Sequence, residues 1–296
     1  RFDLTESPMK RLFVFLGLCA ALTLGAGAPR AETLVMGLIP AENNEEMVRQ
    51  FEPMRQYLEG KLGMDIKVYT ATDYSGVIEA MRRKRVDVAW FGPMSYYLAE
   101  IEAGAVAFAV GVRASSGKSS YRSIFVVPEG SPATSILDLE GKNVAFVDPA
   151  STSGGLVPTY VVKKATGRMP EDFFGKLIYA GSHDAALLAV KNKTVDAAAS
   201  NDITYWRMVE AGLIDEVSDH IISYSDDLPG APLVYRADLD EVLKKRIQDA
   251  FIYAHTEIEV TGYGNLQRYE PVGPADYAII RDMVRELELK KENLLE

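Results

Sequence analysis

Ser151-Thr152-Ser153 sets three hydroxyls in a row, and Gly154-Gly155 follows directly. Each hydroxyl can donate a hydrogen bond. The two glycines let the backbone come close, so that free amide N–H groups can face an anion. The run comes after an apolar strand pattern at 143–148 and opens a helical pattern at 154–166. The partial positive charge of a helix start then adds to the donors. An N-cap alone needs only one hydroxyl, so three hydroxyls with two glycines favour an oxyanion clamp. Pro158 sits too deep for the first helical position and is expected to bend or loosen the opening turns.

Other residues can join the clamp. His183, in Gly181-Ser182-His183-Asp184, follows a second strand and can donate to an anionic oxygen; the alternative is a capped surface histidine. Tyr74, in Asp73-Tyr74-Ser75-Gly76, and Tyr121 can offer phenol O–H groups or simply pack. Trp90-Phe91-Gly92-Pro93 ends a strand and can wall a cleft or belong to the core. Asp202, beside Asn201, can meet a cationic or protonated part of a ligand, or cap the helix that follows. All these positions fall at strand C-terminal ends or at crossovers, where open α/β sheets bind ligands.

Other chemistries find little support. There is no Walker loop, no GxGxxG after the first strand and no HExxH. His183, His220 and His255 lack metal-ligand spacing. Ser153 before two glycines is not a nucleophile elbow. No catalytic residue, metal or cofactor is expected.

The elements that position these residues alternate. Apolar strands at 33–39, 65–71, 86–91 and 105–113 enclose helical patterns at 45–62, 75–84 and 95–103. Strands at 143–148, 176–180 and 195–199 enclose helices at 154–166 and 183–191. Such alternation indicates an α/β protein with mainly parallel sheets. One module occurs twice: Tyr74 opens a helix that runs into Lys84-Arg85-Val86-Asp87, and His183 opens one that runs into Lys193-Thr194-Val195-Asp196. Two lobes of related architecture are therefore expected. Strand 121–127 would carry the chain into the second lobe, and Pro232 to Arg236 would bring it back. The expected layout is lobe 1 at 32–121, lobe 2 at 122–228, and a return to lobe 1 at 229–296, ending in amphipathic helices at 239–257 and 276–296.

Residues 9–31 read as an export signal: basic Lys10-Arg11, an apolar run from Leu12 to Leu24, then small residues allowing cleavage after Ala28 or Ala31. The run is too short to span a membrane. Residues 1–8 precede Met9, which reads as the initiator, and are set aside. The single cysteine, Cys19, falls within the signal, so the exported chain needs no disulfide. A soluble, periplasmic monomer is expected. The 296 residues carry 32 basic and 42 acidic side chains, net −10. That sign argues against nucleic acid as a partner.

Together, Asp73-Tyr74-Ser75-Gly76, Val86 to Pro93, Tyr121, Asp148 to Gly154, Ala180 to His183 and Pro229-Gly230-Ala231-Pro232 resemble the phosphonate/phosphite/phosphate-binding periplasmic proteins of ABC importers. The resemblance spans residues 33 to about 257. It implies a two-lobed type II solute-binding fold that closes on its ligand and docks on a membrane permease. It also implies that Tyr74, Tyr121, Ser151, Thr152, Ser153 and His183 contact the phosphorus oxygens. Aminoalkylphosphonate binders of the family carry an acid where this chain has Ala231. Phosphite, methylphosphonate or phosphate is therefore expected rather than 2-aminoethylphosphonate. The remaining alternatives are a sensing module for a membrane kinase, with the same fold and site, and an exported phosphorus-ester hydrolase.

Overall fold

The computed structural model describes residues 32–215 and 220–289. The expected export signal at 9–31, with Cys19, lies outside the described residues, as does the end of the C-terminal helical pattern beyond 289. The chain runs β1 (Thr33–Leu38), α1 (Asn44–Leu62), β2 (Asp65–Thr70), α2 (Tyr74–Arg82), β3 (Val88–Trp90), α3 (Pro93–Ala103), β4 (Ala105–Arg113) and β5 (Ser123–Val127). It continues through β6 (Asn143–Phe146), α4 (Val157–Thr166), α5 (Pro170–Phe173), β7 (Lys176–Tyr179), α6 (His183–Lys191), β8 (Ala197–Asn201) and α7 (Asp202–Glu210). Last come β9 (His220–Tyr224), β10 (Pro232–Arg236), α8 (Glu241–Tyr253), β11 (Leu266–Pro271) and α9 (Ala278–Glu286).

These strands make two sheets, each the base of one lobe. One has the order β11-β4-β10-β3-β1-β2 and the other β7-β6-β8-β5-β9. The expected parallel ladders are β2-β1-β3 and β7-β6-β8. Antiparallel strands extend each of them, so both sheets are mixed: β10 pairs with β3 and β4, and β5 with β8 and β9. The patterning anticipates neither β9 nor β11. Both are edge strands with half-exposed residues, so neither shows the apolar run of a buried strand.

The repeated module has the same geometry in both lobes. Lys84 and Lys193 each take a left-handed turn after the helix, at φ 57° and 56°. The following Asp87 and Asp196 then reach back to the first parallel strand. Asp87 Oδ2 accepts the Val35 N–H at 2.9 Å, and Asp196 Oδ2 accepts the Asn143 N–H at 2.8 Å. Each aspartate's own N–H donates to the carbonyl of that same residue, at 2.9 and 2.8 Å. A carboxylate thus supplies the acceptor for the N–H one residue before the ladder to β3 or β8 begins.

The two crossovers run side by side. Tyr121 and Leu228 pair as an antiparallel bridge, with N···O distances of 3.2 and 2.7 Å. Regular pairing in β5 begins only at Ser123, because Tyr121 is committed to the other crossover. Gly230 allows the close approach: a Cβ there would stand 2.5 Å from the Ser119 carbonyl oxygen.

Asp87 also holds Arg236 of β10, with Nη2 to Oδ1 3.2 Å and the guanidinium largely buried. Asp87→Ala is expected to cost about 2 kcal/mol, since a strand N–H and a buried cation both lose an acceptor. A urea midpoint unchanged from the parent would show that neither bond matters.

Candidate functional site

Ser151 caps the turn that bears the hydroxyl row, its Oγ accepting the Gly154 N–H at 3.1 Å. The turn Thr152–Leu156 is π-helical, with Leu156 N–H on the Ser151 carbonyl at 2.9 Å, and α4 starts only at Val157. The loosened opening expected from Pro158 takes this form. Proline has no N–H to give to the wider ring, and the Ser153 carbonyl instead accepts from Ser123 Oγ at 2.7 Å. The neighbouring carbonyls are also met from outside the turn ladder. Gly154 accepts from Val147 N–H at 2.7 Å, and Gly155 from Thr159 Oγ1 at 2.8 Å. Both glycines are obligatory. A Cβ on Gly154 would lie 2.3 Å from the Val147 side chain, and one on Gly155 2.3 Å from the Asp148 carbonyl oxygen.

This arrangement fixes the hydroxyl oxygens. Thr152 Oγ1 accepts the N–H of Met94, in the first turn of α3 of the other lobe, at 2.8 Å. An oxygen that already accepts keeps its own O–H for donation. The same holds for Ser151 Oγ. Both residues line a cavity of about 50 Å³ between the sheets. Tyr74, Tyr121, Ser153 and His183 line it too. The Tyr74 hydroxyl interacts with Ser151, and that of Tyr121 with Thr152 and Ser153. Burial pushes both phenols above their usual range, so they stay protonated donors.

His183 is buried, 3% exposed, and not a surface residue. It is the first residue of α6, behind the Ser182 cap. Its Nδ1 lies 3.1 Å from Ser200 Oγ. Burial holds its pKa down to about 3, so the imidazole is neutral at physiological pH. Asp148, next to the hydroxyl row, is raised by burial, against the pull of the Ala150 and Tyr74 N–H groups.

Six of the seven residues singled out in the sequence thus surround one cavity, and Trp90, Asn201 and Ala231 join them. Asp202 does not line it. Successive residues at a strand end face opposite sides: Asn201 faces the cavity and caps α7, its Oδ1 accepting from Thr204 N–H at 2.8 Å. Asp202 turns instead to the Arg122 N–H at 3.1 Å and lies 3.5 Å from Arg122 Nε and 3.8 Å from Arg113 Nη1. Sequence reasoning missed Arg113, Tyr263 and Tyr269 in the lining. Arg113 ends a strand at the first crossover, a position that could have flagged it. Tyr263 sits in an irregular segment with no such signal.

The lobes touch directly around the cavity. His183 N–H donates to the Ala41 carbonyl at 2.8 Å, and Asn43 Nδ2 to Asp184 Oδ2 at 3.1 Å. Glu42, fully buried, accepts from Arg207 Nε at 2.9 Å and Thr204 Oγ1 at 3.0 Å. Burial raises the Glu42 pKa, against the attraction of Arg207. Asn201 Nδ2 donates to the Tyr263 hydroxyl at 3.0 Å. The two lobes are thus hydrogen-bonded to each other around the cavity. Among the described residues, no group of three or more His, Cys, Asp or Glu is placed to hold a metal ion, and no helix is long and apolar enough to cross a membrane.

A sequence profile described as "ABC transporter, phosphonate, periplasmic substrate-binding protein" matches residues 36–277. The chain belongs to that family. The phosphonates-binding periplasmic protein of Escherichia coli (strain K12) is 35% identical over 225 residues, covering 75% of this chain and 66% of that protein. The chain therefore spans just under two thirds of this relative's length. A binding protein component of an ABC phosphonate transporter from Pseudomonas aeruginosa superposes with a TM-score of 0.78 at 27% identity, covering 89% of this chain and 88% of that one. PhnD1 from Prochlorococcus marinus, solved in complex with methylphosphonate, gives 0.77 at 22% identity, covering 87% and 98%. That last likeness is one of fold, the two-lobed type II architecture.

As a family member with a neutral buried histidine, the protein should lose stability in acid in a defined way. The unfolded imidazole takes up a proton below its ordinary value of 6.5, and the folded one only near about 3. Stability is therefore present above 6.5 and lost as pH falls towards 3, at up to about 1.4 kcal/mol per pH unit. Between pH 7 and 5, His183→Gln should lose about 2 kcal/mol less than the parent in urea unfolding. Equal losses in both proteins would mean that the imidazole is not held neutral.

Proposed function

We propose that this chain is the periplasmic substrate-binding component of an ABC importer for small phosphorus oxyanions. Phosphite, methylphosphonate and phosphate are the candidates. The reading rests above all on one observation: Ser151 and Thr152, from the second lobe, line one cavity with Tyr74 of the first, and each hydroxyl oxygen is held by a backbone N–H while its own proton is left to donate. Such a site exchanges water for fixed donors around an anion. The donors of the hydroxyl row and His183 are neutral and act at contact distance, so the negative charge of the whole chain does not decide binding.

Capture works by closure. Tyr74 comes from one lobe and Ser151, Thr152, Ser153 and His183 from the other, so bound anion favours the closed state by contacts the open state lacks. The paired crossovers at Tyr121 and Leu228 serve as the hinge, with lobes at 32–121 plus 229–296 and at 122–228. The closed form then docks on the permease as a monomer and releases its cargo there. The protein carries out no chemistry on its ligand. The E. coli relative's name and the methylphosphonate held by PhnD1 support this ligand class.

Calorimetric titration with methylphosphonate, phosphite and phosphate tests the reading. Thr152→Val and His183→Ala should each weaken the best ligand by about 30-fold or more, the worth of one hydrogen bond to a charged group, about 2 kcal/mol. Parental affinity in either variant would remove that residue from the site. Absence of binding by the parent to all three anions would end the proposal.

A further inference from the structure

The cavity does not stop at the hydroxyl row. It continues to the ends of β4 and β11, where Arg113, Ser119, Ala231 and Tyr269 line it. Among the described residues, Arg113 is the one lining residue with a full charge, because His183 is neutral and no carboxylate lines the cavity. The guanidinium is mostly buried, its side chain 19% exposed. Nη2 donates to the Ser120 carbonyl and Nη1 lies 3.8 Å from Asp202 Oδ1. Nε is buried with no hydrogen-bond partner in the protein. Asp202 does not neutralise this end, since it is shared with Arg122, whose N–H and Nε are nearer at 3.1 and 3.5 Å. One carboxylate thus faces two guanidinium groups.

Nε itself has almost no accessible surface, so what the cavity meets is the charge of the guanidinium. A ligand amine would meet a cation here and find no acid on the wall, whereas a ligand carboxylate would meet a group of opposite charge. We infer that the site accepts phosphonates bearing a carboxylate on the carbon side: the phosphonate on the hydroxyl row, the carboxylate towards Arg113. Phosphonoacetate is a small, stable probe of this class, with one methylene between the two acids. The inference rests on the oxyanion reading and adds the polarity of the second end.

The test is calorimetry on the parent and on Arg113→Gln, each with methylphosphonate, phosphonoacetate and 2-aminoethylphosphonate. The parent should bind phosphonoacetate at least about tenfold tighter than 2-aminoethylphosphonate. Arg113→Gln should lower the ratio of phosphonoacetate to methylphosphonate affinity by about the same factor. A parent that binds methylphosphonate, but takes the amine as tightly as the carboxylate or tighter, overturns the inference and leaves the oxyanion reading standing. This arm needs no variant to fold. An unchanged ratio in Arg113→Gln overturns the role of that residue. A parent that binds none of the three defeats the oxyanion reading, and the inference falls with it.

Discussion

Everything at the site depends on a hydrogen-bond constraint: a hydroxyl oxygen pinned by a fixed N–H still has its own proton to place. The π-helical turn imposes it. The wider ring and the missing N–H of Pro158 leave carbonyls that Ser123, Val147 and Thr159 satisfy from the side. Those lateral bonds lock the turn to β5 and to the strand before it. A locked turn keeps Ser151 and Thr152 in place, each with a proton still to donate. Packing leaves no freedom either, because Gly154 and Gly155 already touch Val147 and the Asp148 carbonyl as closely as a glycine can.

The same logic reconciles an acidic chain with an anionic cargo. Net charge acts over a Debye length of roughly 8 Å and is screened by salt. Donors inside a closed cavity act at contact distance and escape that screening. Burial keeps each donor in its neutral, proton-bearing form: the phenols of Tyr74 and Tyr121 are pushed up, and the imidazole of His183 is pushed down. Desolvation thus shifts acids and a base in opposite directions to one end: around the hydroxyl row the phenols and the imidazole are uncharged, and the charge in the lining is that of Arg113.

Much of this was legible in the residue pattern. Hydroxyl and glycine types at strand ends are local signals, and so is the left-handed turn before Asp87 and Asp196, which appears as a matched spacing in two places. Two kinds of feature escaped. Edge strands such as β11 carry little apolar content, so periodicity does not mark them. Side-chain direction at a strand end is decided by register, and a one-residue step separates Asn201, which faces the cavity, from Asp202, which faces Arg122. Tyr263 and Arg113 reach the site only through tertiary packing across long sequence separations. His183 illustrates the difference: its type was visible, but its burial, and hence its charge, was not.

The position of β10 has a consequence for how the molecule comes together. It lies between β3 and β4, in the interior of the first sheet, yet the chain supplies it only after the entire second sheet. Until then β3 and β4 are two raw edges with unpaired amides. The second sheet, by contrast, is drawn from one uninterrupted stretch, β5 to β9, and needs nothing from either end of the chain. During threading from the N-terminus, the middle of the molecule is therefore the first part able to finish its own sheet, and the leading third must wait, incomplete, for a strand that arrives late.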